Sequence, residues 1–321
     1  MPVRFTSPSL GGQRNSFLQA REWQVGAAFR RLSADEWYVG KKVNEAKAPF
    51  GQPLYLEINS LDLSVAYGVS DRLSLTLTLP FSHGTHSRFY ADTTRHKVRA
   101  SGLGDVNLVA NLWLLEPGPV GDVAVAFGVK APTGNYHASD SFFLPNAPPT
   151  KRPVDQSIQL GDGGWGVIVQ TQGYRRISDR ASAYAFGSYL VSPRIETDVP
   201  SPISGEPIVH LAVPDVYSAR SGLSYVLAPT RGRAVNAGAR IDGIPQGDVI
   251  GGRDRAFRRP GYSLYFDPGM VLRHSAEEVT ISVPLRMSQD FQRSRIDRER
   301  NFPGGGDLAD YLVFIGYTHR F

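Results

Sequence analysis

The stretch "DRLSLTLTLPF", residues 71–81, places leucine at every second position and hydroxyl side chains between the leucines. This period of two predicts a β-strand with one apolar and one polar face. In a soluble sheet the leucines would face a protein core, whereas in a membrane barrel they would face lipid. We predict that the lipid-facing residues of this strand are Leu73, Leu75, Leu77 and Leu79.

The same alternation recurs along the whole chain and predicts twelve strands. They lie near residues 21–32, 56–68, 72–81, 102–115, 120–130, 162–175, 181–192, 214–227, 233–242, 261–273, 278–287 and 308–321. The clearest apolar faces carry no charged residue, while the opposite faces are mixed, polar and often small. One side of these strands is therefore expected to be apolar over its full length.

The connections between these strands alternate strictly between short and long. Five short turns contain "VSD", "EPGP", "RISDR", "APTRG" and "HSAEE". The six long connections span residues 33–55, 82–101, 131–161, 193–213, 243–260 and 288–307. An even strand count with short turns at one end and long loops at the other is the layout of a bacterial outer-membrane barrel. We therefore predict an all-β fold, a transmembrane up-and-down antiparallel β-barrel of about 12 strands with short periplasmic turns and long extracellular loops.

Composition agrees with this fold class. The chain has 321 residues with 33 glycines and 23 prolines, which suits many short strands and turns. No apolar run reaches the 18 or more residues that a membrane-spanning helix requires, but a spanning strand needs only about 9 to 11 residues. Zero cysteines exclude thiolate metal sites.

The two ends of the chain carry separate expectations. Residues 1–20 are predicted to form a periplasmic or lumen-inserted segment before the barrel at 21–321, and they show no basic segment followed by an apolar stretch. At the other end, Tyr317 and Phe321 share an alternating face that resembles the signal presented to the barrel assembly machinery, although the usual aromatic two before the end is His319.

Two motifs carry a family resemblance over about residues 60–136. "GLGD" opens one predicted strand at Gly102, and "KAPTG" closes the next, from Lys130 to Gly134. In this respect the chain resembles the meta-pathway of phenol degradation family, outer-membrane barrels found near aromatic-degradation genes. The resemblance implies an outer-membrane channel that passes small molecules, among them hydrophobic or aromatic compounds.

We predict that the polar faces line the lumen and set its ionic selectivity. The candidate lumen and selectivity residues are Asp62, Asp105, Asn107, Lys130, Arg220, Arg240, Asp267, Arg273 and Arg286. Asp105 and Lys130 fall on the same interior face of neighbouring strands, where a structural pairing is favoured over a role in selectivity. The function predicted from these features is passive uptake of small-molecule solutes.

Two other functions stay open, a barrel enzyme of phospholipase type and a soluble all-β binding protein. Ser82 and His83 are adjacent on a strand and point to opposite faces, so they do not form a catalytic dyad and no enzyme is predicted. Four histidines, His83, His86, His96 and His137, fall in two long connections, without the spacing of a metal site, and are expected to be exposed. No metal, cofactor or nucleic-acid partner is predicted.

The membrane partners are predicted from the basic runs at 251–262 and 292–300. Guanidinium groups suit the phosphates of lipopolysaccharide. An alternative is that these arginines pair with acidic residues of their own loops, such as Asp254 and Glu299. The sequence leaves the oligomeric state undetermined.

Overall fold

The computed structural model describes residues 17–44, 54–115, 118, 120–201, 207–228, 232–250 and 256–321. Its strands, in chain order, are β1 (Trp23–Ala34), β2 (Tyr38–Val39), β3 (Lys42–Val43), β4 (Tyr55–Gly68), β5 (Leu73–Phe89), β6 (Arg95–Leu103), β7 (Val106–Trp113), β8 (Gly121–Ala131), β9 (Ser139–Phe142), β10 (Thr150–Pro153), β11 (Gly166–Arg176), β12 (Ala181–Val191), β13 (Glu196–Pro200), β14 (His210–Ala212), β15 (Val216–Ala228), β16 (Arg233–Ile244), β17 (Gly261–Phe266), β18 (Gly269–His274), β19 (Glu277–Ser282), β20 (Leu285–Phe291) and β21 (Tyr311–Arg320). A 3-10 turn spans Gln156–Ile158, and one short helix, α1, spans Arg295–Glu299. No helix among the described residues is long and apolar enough to cross a membrane.

The sheet closes on itself. Each barrel strand pairs antiparallel with its neighbours, and β1 pairs with β21, so that Gln24 lies opposite Arg320. Three barrel strands are each broken into two segments, namely β6 with β7, β17 with β18 and β19 with β20. Counting each broken pair as one strand gives the twelve strands that the alternation predicted.

The breaks have local causes. Pro268 follows β17 and Pro284 precedes β20, and proline has no N–H to donate to the neighbouring strand. The third break lies at Gly104 and Asp105, where the Gly104 amide donates to the carbonyl of Pro80 at 2.7 Å. This break also shifts the alternation of inward and outward side chains by one residue. In β6 the even-numbered residues face inward, whereas after the break the odd-numbered residues, beginning with Asp105 and Asn107, face inward.

The outer wall is apolar and exposed. Leu75, Leu77 and Leu79 are 37–40% exposed, and Leu73 is half-buried. They lie in register with the equally exposed Leu63 and its neighbours on β4. The intervening hydroxyl residues of β5 face the interior, and Thr78 is buried. A closed barrel with such a wall satisfies every backbone group internally and spans a bilayer.

The predicted connection at 82–101 differs from the structure. β5 continues to Phe89 and β6 begins at Arg95, so most of this stretch is a paired hairpin. The outward residues here, such as Thr85 and Arg99, are polar because the hairpin has left the apolar belt. Strand pairing requires only backbone hydrogen bonds, so the loss of the apolar face does not mark the end of the strand.

Candidate functional site in the barrel interior

A cavity of about 360 Å³ occupies the periplasmic half of the barrel interior. Its periplasmic end is lined by Ser275 and Arg320, and its inner end by Asp105 and Lys130. Between these ends the cavity is lined by apolar side chains on one side and elsewhere largely by uncharged polar side chains, namely Ser64, Ser74, Thr76, Thr78, Asn107, Asn111, Gln170, Gln172, Thr280 and Thr318. The inward faces of the strands thus form a compartment with a largely polar lining.

An ionic cluster closes the inner end of this cavity. Lys130 donates to Asp105 at 3.2 Å, to Asp162 at a shorter distance, and to the carbonyl of Gly164 at 2.8 Å. All three charged side chains are buried. The pairing of Asp105 with Lys130 agrees with the structural interpretation, and Asp162 is a partner that the sequence analysis missed.

The two sequence motifs meet at this cluster. The Thr133 hydroxyl donates to the carbonyl of Gly104 at 2.8 Å and accepts from the Val106 amide at 2.9 Å. The Gly134 amide donates to Asp105 Oδ1 at 2.9 Å. The residues of "GLGD" and "KAPTG" therefore hold the break between β6 and β7 against the end of β8.

The stretch "GDGGWG" supplies the third side of the same cluster. Asp162 Oδ1 accepts from the Gly164 amide at 2.9 Å, and Gly163 has a φ of +70°, a conformation that favours glycine. A side chain at Gly161 would collide with the Gly134 carbonyl oxygen at 2.3 Å. The backbone conformation and close packing of these glycines hold Asp162 beside Lys130.

A second group of charges lies in the wall formed by β15, β16 and β17. Arg240 donates to Asp242 at 2.8 Å, and Arg220 lies 3.8 Å from Asp267. Asp242 also accepts from the Ser218 hydroxyl at 2.6 Å. All four charged side chains are at most 5% exposed, so they balance one another within the wall.

The periplasmic end of the cavity carries further paired charges. Arg273 forms an ion pair with Glu278, and Arg320 lies 3.9 Å from Glu22. Beside this end, Phe17 is buried against the Trp113 ring, at 4.2 Å between centroids. These residues line the mouth of the barrel.

The predicted segment 1–20 lies largely outside the described residues, which begin at residue 17. Leu18 lines the cavity, and Phe17 packs on the interior aromatic rings of Trp113 and Tyr174. Lumen entry by the segment as a whole remains a proposal. Asp62, the remaining predicted lumen residue, is buried in the cavity wall on β4.

The extracellular half of the interior is packed with apolar side chains. Ile158 and Leu160, at the end of the 131–161 connection, are buried against interior residues of β1, β4, β6 and β21. Ile158 lies so close to the β5 backbone that a Cβ at Gly84 would sit 2.7 Å from its Cγ2 atom. Residues 154–160 therefore form an inserted segment that occupies part of the lumen above the cavity.

Phe142 and Phe143 of the apolar stretch 141–153 are partly buried against this interior cluster. The strands β9 and β10 form a hairpin, and Phe143 stacks on His96 with ring centroids 3.6 Å apart. The inserted segment 154–160 follows the hairpin, where Asp155 caps the 3-10 turn by accepting from the Ser157 amide at 2.9 Å. Burial raises the pKa of Asp155, but the charges of His86 and Arg259 outweigh it and lower the pKa below its usual value.

Arg286 belongs to a cluster of acids at the extracellular end of the barrel. It forms ion pairs with Glu36 and Asp310, and Asp310 also accepts from the Asp35 amide at 3.1 Å. Burial raises the pKa of Asp310 to about 6, although Arg286 opposes the shift. Burial also raises the pKa of Asp307 well above its usual range, the charge of Asp310 adds to this, and Arg286 opposes it.

We predict that Asp307→Asn raises the free energy of unfolding at pH 7.5 by about 1 to 3 kcal/mol. A carboxyl group whose pKa is higher in the folded state binds its proton more tightly there. Its destabilising effect is therefore absent below the unfolded pKa, about 4, and grows as the pH rises through the folded pKa. The difference between variant and wild type in guanidinium unfolding should shrink at pH 4, and a constant difference would contradict the assignment. Asp179→Asn, on an exposed turn, is the control.

The histidines only partly match their expectation. His83 is exposed, and His137 lies on the surface 2.8 Å from Asp198, but His86 is buried on the inward face of β5. Polar loop composition predicted exposure for His86, whereas the extension of β5 turns it inward. Within the described ranges, no three side chains of histidine, aspartate or glutamate are grouped to hold a metal ion.

Comparisons with known proteins agree on the fold. No family model and no curated protein matches the chain, so the motif resemblance to a family remains a prediction. Among solved structures, the COG4313 outer membrane channel from Pseudomonas putida F1 matches with a TM-score of 0.63 and 16% identity, over 95% of this chain and 97% of that chain.

Two further structures show weaker likeness. The translocator domain of the autotransporter NalP from Neisseria meningitidis matches with a TM-score of 0.48 and 12% identity, over 94% of this chain and 89% of that chain. The Ralstonia pickettii toluene transporter TbuX matches with a TM-score of 0.46 and 9% identity, over 95% of this chain and 90% of that chain. The likeness to the COG4313 channel, at 16% identity, shows the fold alone. Together with the closed barrel and its apolar wall, that fold places the chain in the bacterial outer membrane.

Proposed function

We propose that this protein is an outer-membrane channel for the passive uptake of small, uncharged molecules. The observation that carries the proposal is the cavity, whose ends carry the ion pairs Lys130–Asp105 and Arg273–Glu278 and whose middle is lined largely by hydroxyl and amide groups. Paired charges present little net field to a solute, while hydroxyl and amide groups replace the hydrogen bonds that a neutral solute makes with water.

The cavity also has an apolar side. Ile168, Phe186, Leu190 and Val216 line one wall, opposite the hydroxyl residues of β5. A solute with an apolar body and a few uncharged polar groups fits both walls. Hydroxylated aromatic compounds are therefore the solute class that we propose, and they agree with the motif resemblance.

The test is block of single-channel current in a planar bilayer by a panel of solutes of similar size. We expect a neutral phenol to block more strongly than benzoate, and a neutral pentose to block more strongly than its aldonate anion. Stronger block by both anions would contradict the proposed selectivity. Absence of current under every condition would contradict a channel function.

We predict that Ile158→Asp raises the conductance several-fold. The carboxylate would be buried among apolar side chains of the inserted segment 154–160, which costs several kcal/mol and favours release of that segment. Ile208→Asp, at a residue that is 58% exposed, is the matched control and should leave the conductance unchanged. Equal conductance of wild type and Ile158→Asp would mean that the segment does not limit passage.

We further propose roles for residues singled out in the sequence. Asn107 and Arg273 line the cavity and are the best placed of the predicted selectivity residues to contact a solute. Tyr317 and Phe321 are exposed on the outer side of the last strand, which supports the proposed signal for the barrel assembly machinery. The exposed apolar wall supports contact with membrane lipids.

A lipid hydrolase is the second candidate function, because one observation favours it. His83 Nδ1 lies 2.5 Å from the Ser101 hydroxyl on the outer wall, and Asn59 lies in register with His83 on the next strand. Ser82 is excluded as the partner, since it faces inward and lies 3.0 Å from the Ser60 hydroxyl. Phospholipid hydrolysis that is abolished by Ser101→Ala would rank the hydrolase above the channel.

A further inference from the structure

We propose that the outer wall of β1, β5 and β6, together with the β9–β10 hairpin, binds the phosphate groups of lipopolysaccharide. This wall is called the basic wall below. Its cations are Arg31, Arg95, Lys97, Arg99, Lys151 and Arg152. The proposal depends on the outer-membrane location and is independent of the channel function.

The sequence predicts that lipopolysaccharide binds elsewhere, at the basic runs 251–262 and 292–300. In the structure Arg258 is fully buried and forms an ion pair with Asp248. Arg259 donates to the carbonyl of Gly305 at 2.9 Å. Arg295 is paired with Glu299 at 2.6 Å, as the alternative of internal pairing expected. These three arginines are engaged within their loops, whereas residues 251–255 of the first run lie outside the described residues.

The position of the basic wall follows from the alternation along its strands. On β5 the last strongly exposed apolar residue of the belt is Phe81, and on β6 it is Leu103. Beyond Leu103, successive outward positions of β6 carry Ser101, Arg99 and Lys97. The cations therefore begin where the lipid tails end and the headgroups of the outer leaflet lie.

The side chains of the basic wall are arranged for anion binding. Arg95 lies over the rings of Tyr55 and Phe89, at 4.9 and 4.8 Å from the ring centroids. Such stacking, together with hydrogen bonds from Arg95 Nη1 to the carbonyl and hydroxyl oxygens of Ser87 at 3.3 Å, holds this positive charge on the outer wall. Lys97 and Arg99 are exposed beside it.

The hairpin adjoins the free edge of β6, and its adjacent cations Lys151 and Arg152 lie on opposite faces of β10. Asp140 of β9 accepts from the Arg99 amide at 2.8 Å, and it lies opposite Arg152 of β10. Three carboxylates, Glu57, Asp92 and Asp140, offset part of the positive charge, and six cations against three carboxylates leave an excess of three. An excess of this sign matches the phosphorylated glycolipid of the outer leaflet.

Other parts of the rim do not share this character. Elsewhere near the extracellular edge of the described strands, several aromatic side chains face outward, namely Trp165, Tyr189, Tyr217, Tyr262 and Tyr311. Aromatic rings suit the membrane interface in general, whereas clustered cations select anionic headgroups. The asymmetry points to one bound lipopolysaccharide molecule on one side of the barrel.

The experiment measures binding of bisphosphorylated lipid A to the purified full-length protein in phosphatidylcholine nanodiscs by native mass spectrometry. The test variant is Lys97→Gln/Arg99→Gln/Arg152→Gln. The matched control is Arg175→Gln/Arg176→Gln/Arg180→Gln, which removes three exposed cations at the periplasmic end. Heat-modifiable migration in gels confirms that both variants form the barrel.

We expect the test variant to bind lipid A about tenfold more weakly than wild type, and the control to bind within twofold, because each lost charge-assisted hydrogen bond weakens binding. Monophosphoryl lipid A should bind wild type more weakly than the bisphosphorylated form. Unchanged binding by the test variant, or equal competition by phosphatidylglycerol, would overturn the proposal.

Discussion

Lys130→Met lowers the free energy of unfolding by about 3 to 5 kcal/mol, if Lys130 holds the cluster at the inner end of the cavity as described. The substitution leaves Asp105 and Asp162 buried beside each other without their shared cation. Two unpaired carboxylates in a buried site repel each other and have lost their hydration. Guanidinium unfolding of barrels refolded into phospholipid vesicles gives the free energy.

Two further variants separate charge from packing. Lys42→Met, at an exposed residue of the β2–β3 hairpin, should change the free energy by less than about 0.5 kcal/mol. The triple variant Lys130→Met/Asp105→Asn/Asp162→Asn removes the charges together and should recover part of the loss, since neutral amides tolerate burial better. A loss of less than about 1 kcal/mol in Lys130→Met would show that the cluster contributes little to stability.

Leu77→Arg is predicted to cost about 2 to 4 kcal/mol, because it places a charge at mid-bilayer on the lipid side of the wall. Leu77 is 40% exposed and lies in register with Val65 and Leu108 on the adjoining strands. Thr76→Arg, one residue away, places the same charge in the cavity and should mainly change the conductance. The same vesicle unfolding measurement compares the two variants.

Two results for these variants would contradict the assignment of the two faces of β5. If Thr76→Arg were as destabilising as Leu77→Arg, the interior of the barrel would be dry and tightly packed at this level. If Leu77→Arg were neutral, the leucine face would not contact lipid.

Much of the fold follows from residue order, because two faces with period two and alternating connection lengths suffice to specify a closed barrel. The sequence predicts the apolar faces of β4 and β5. It also predicts the pairing of Asp105 with Lys130, because the two residues lie on the same face of adjacent strands. The alternation of apolar and polar residues does not show where a strand ends once it has left the membrane. β5 therefore extends to Phe89 although its apolar pattern ends near Phe81.

The interior was less readable for a physical reason. Contacts between a loop and the lumen depend on the path of the loop in three dimensions, so Ile158 and Leu160 gave no local signal of insertion. Asp162 sits in a glycine-rich stretch that predicts a rim, and only the folded loop brings it to Lys130. By contrast, the ion pair between Arg240 and Asp242 could have been predicted from the sequence, because a spacing of two residues puts both side chains on one face of a strand.

The most direct test of the account asks which face of β5 is wet. The chain has no cysteine, so Leu77→Cys and Thr76→Cys each introduce a single thiol that can carry a bimane label. In vesicles containing brominated lipid, the account predicts strong quenching of the label at residue 77 and weak quenching at residue 76, with iodide quenching the label at 76 more strongly. The reverse pattern would contradict a membrane barrel with a hydrated interior.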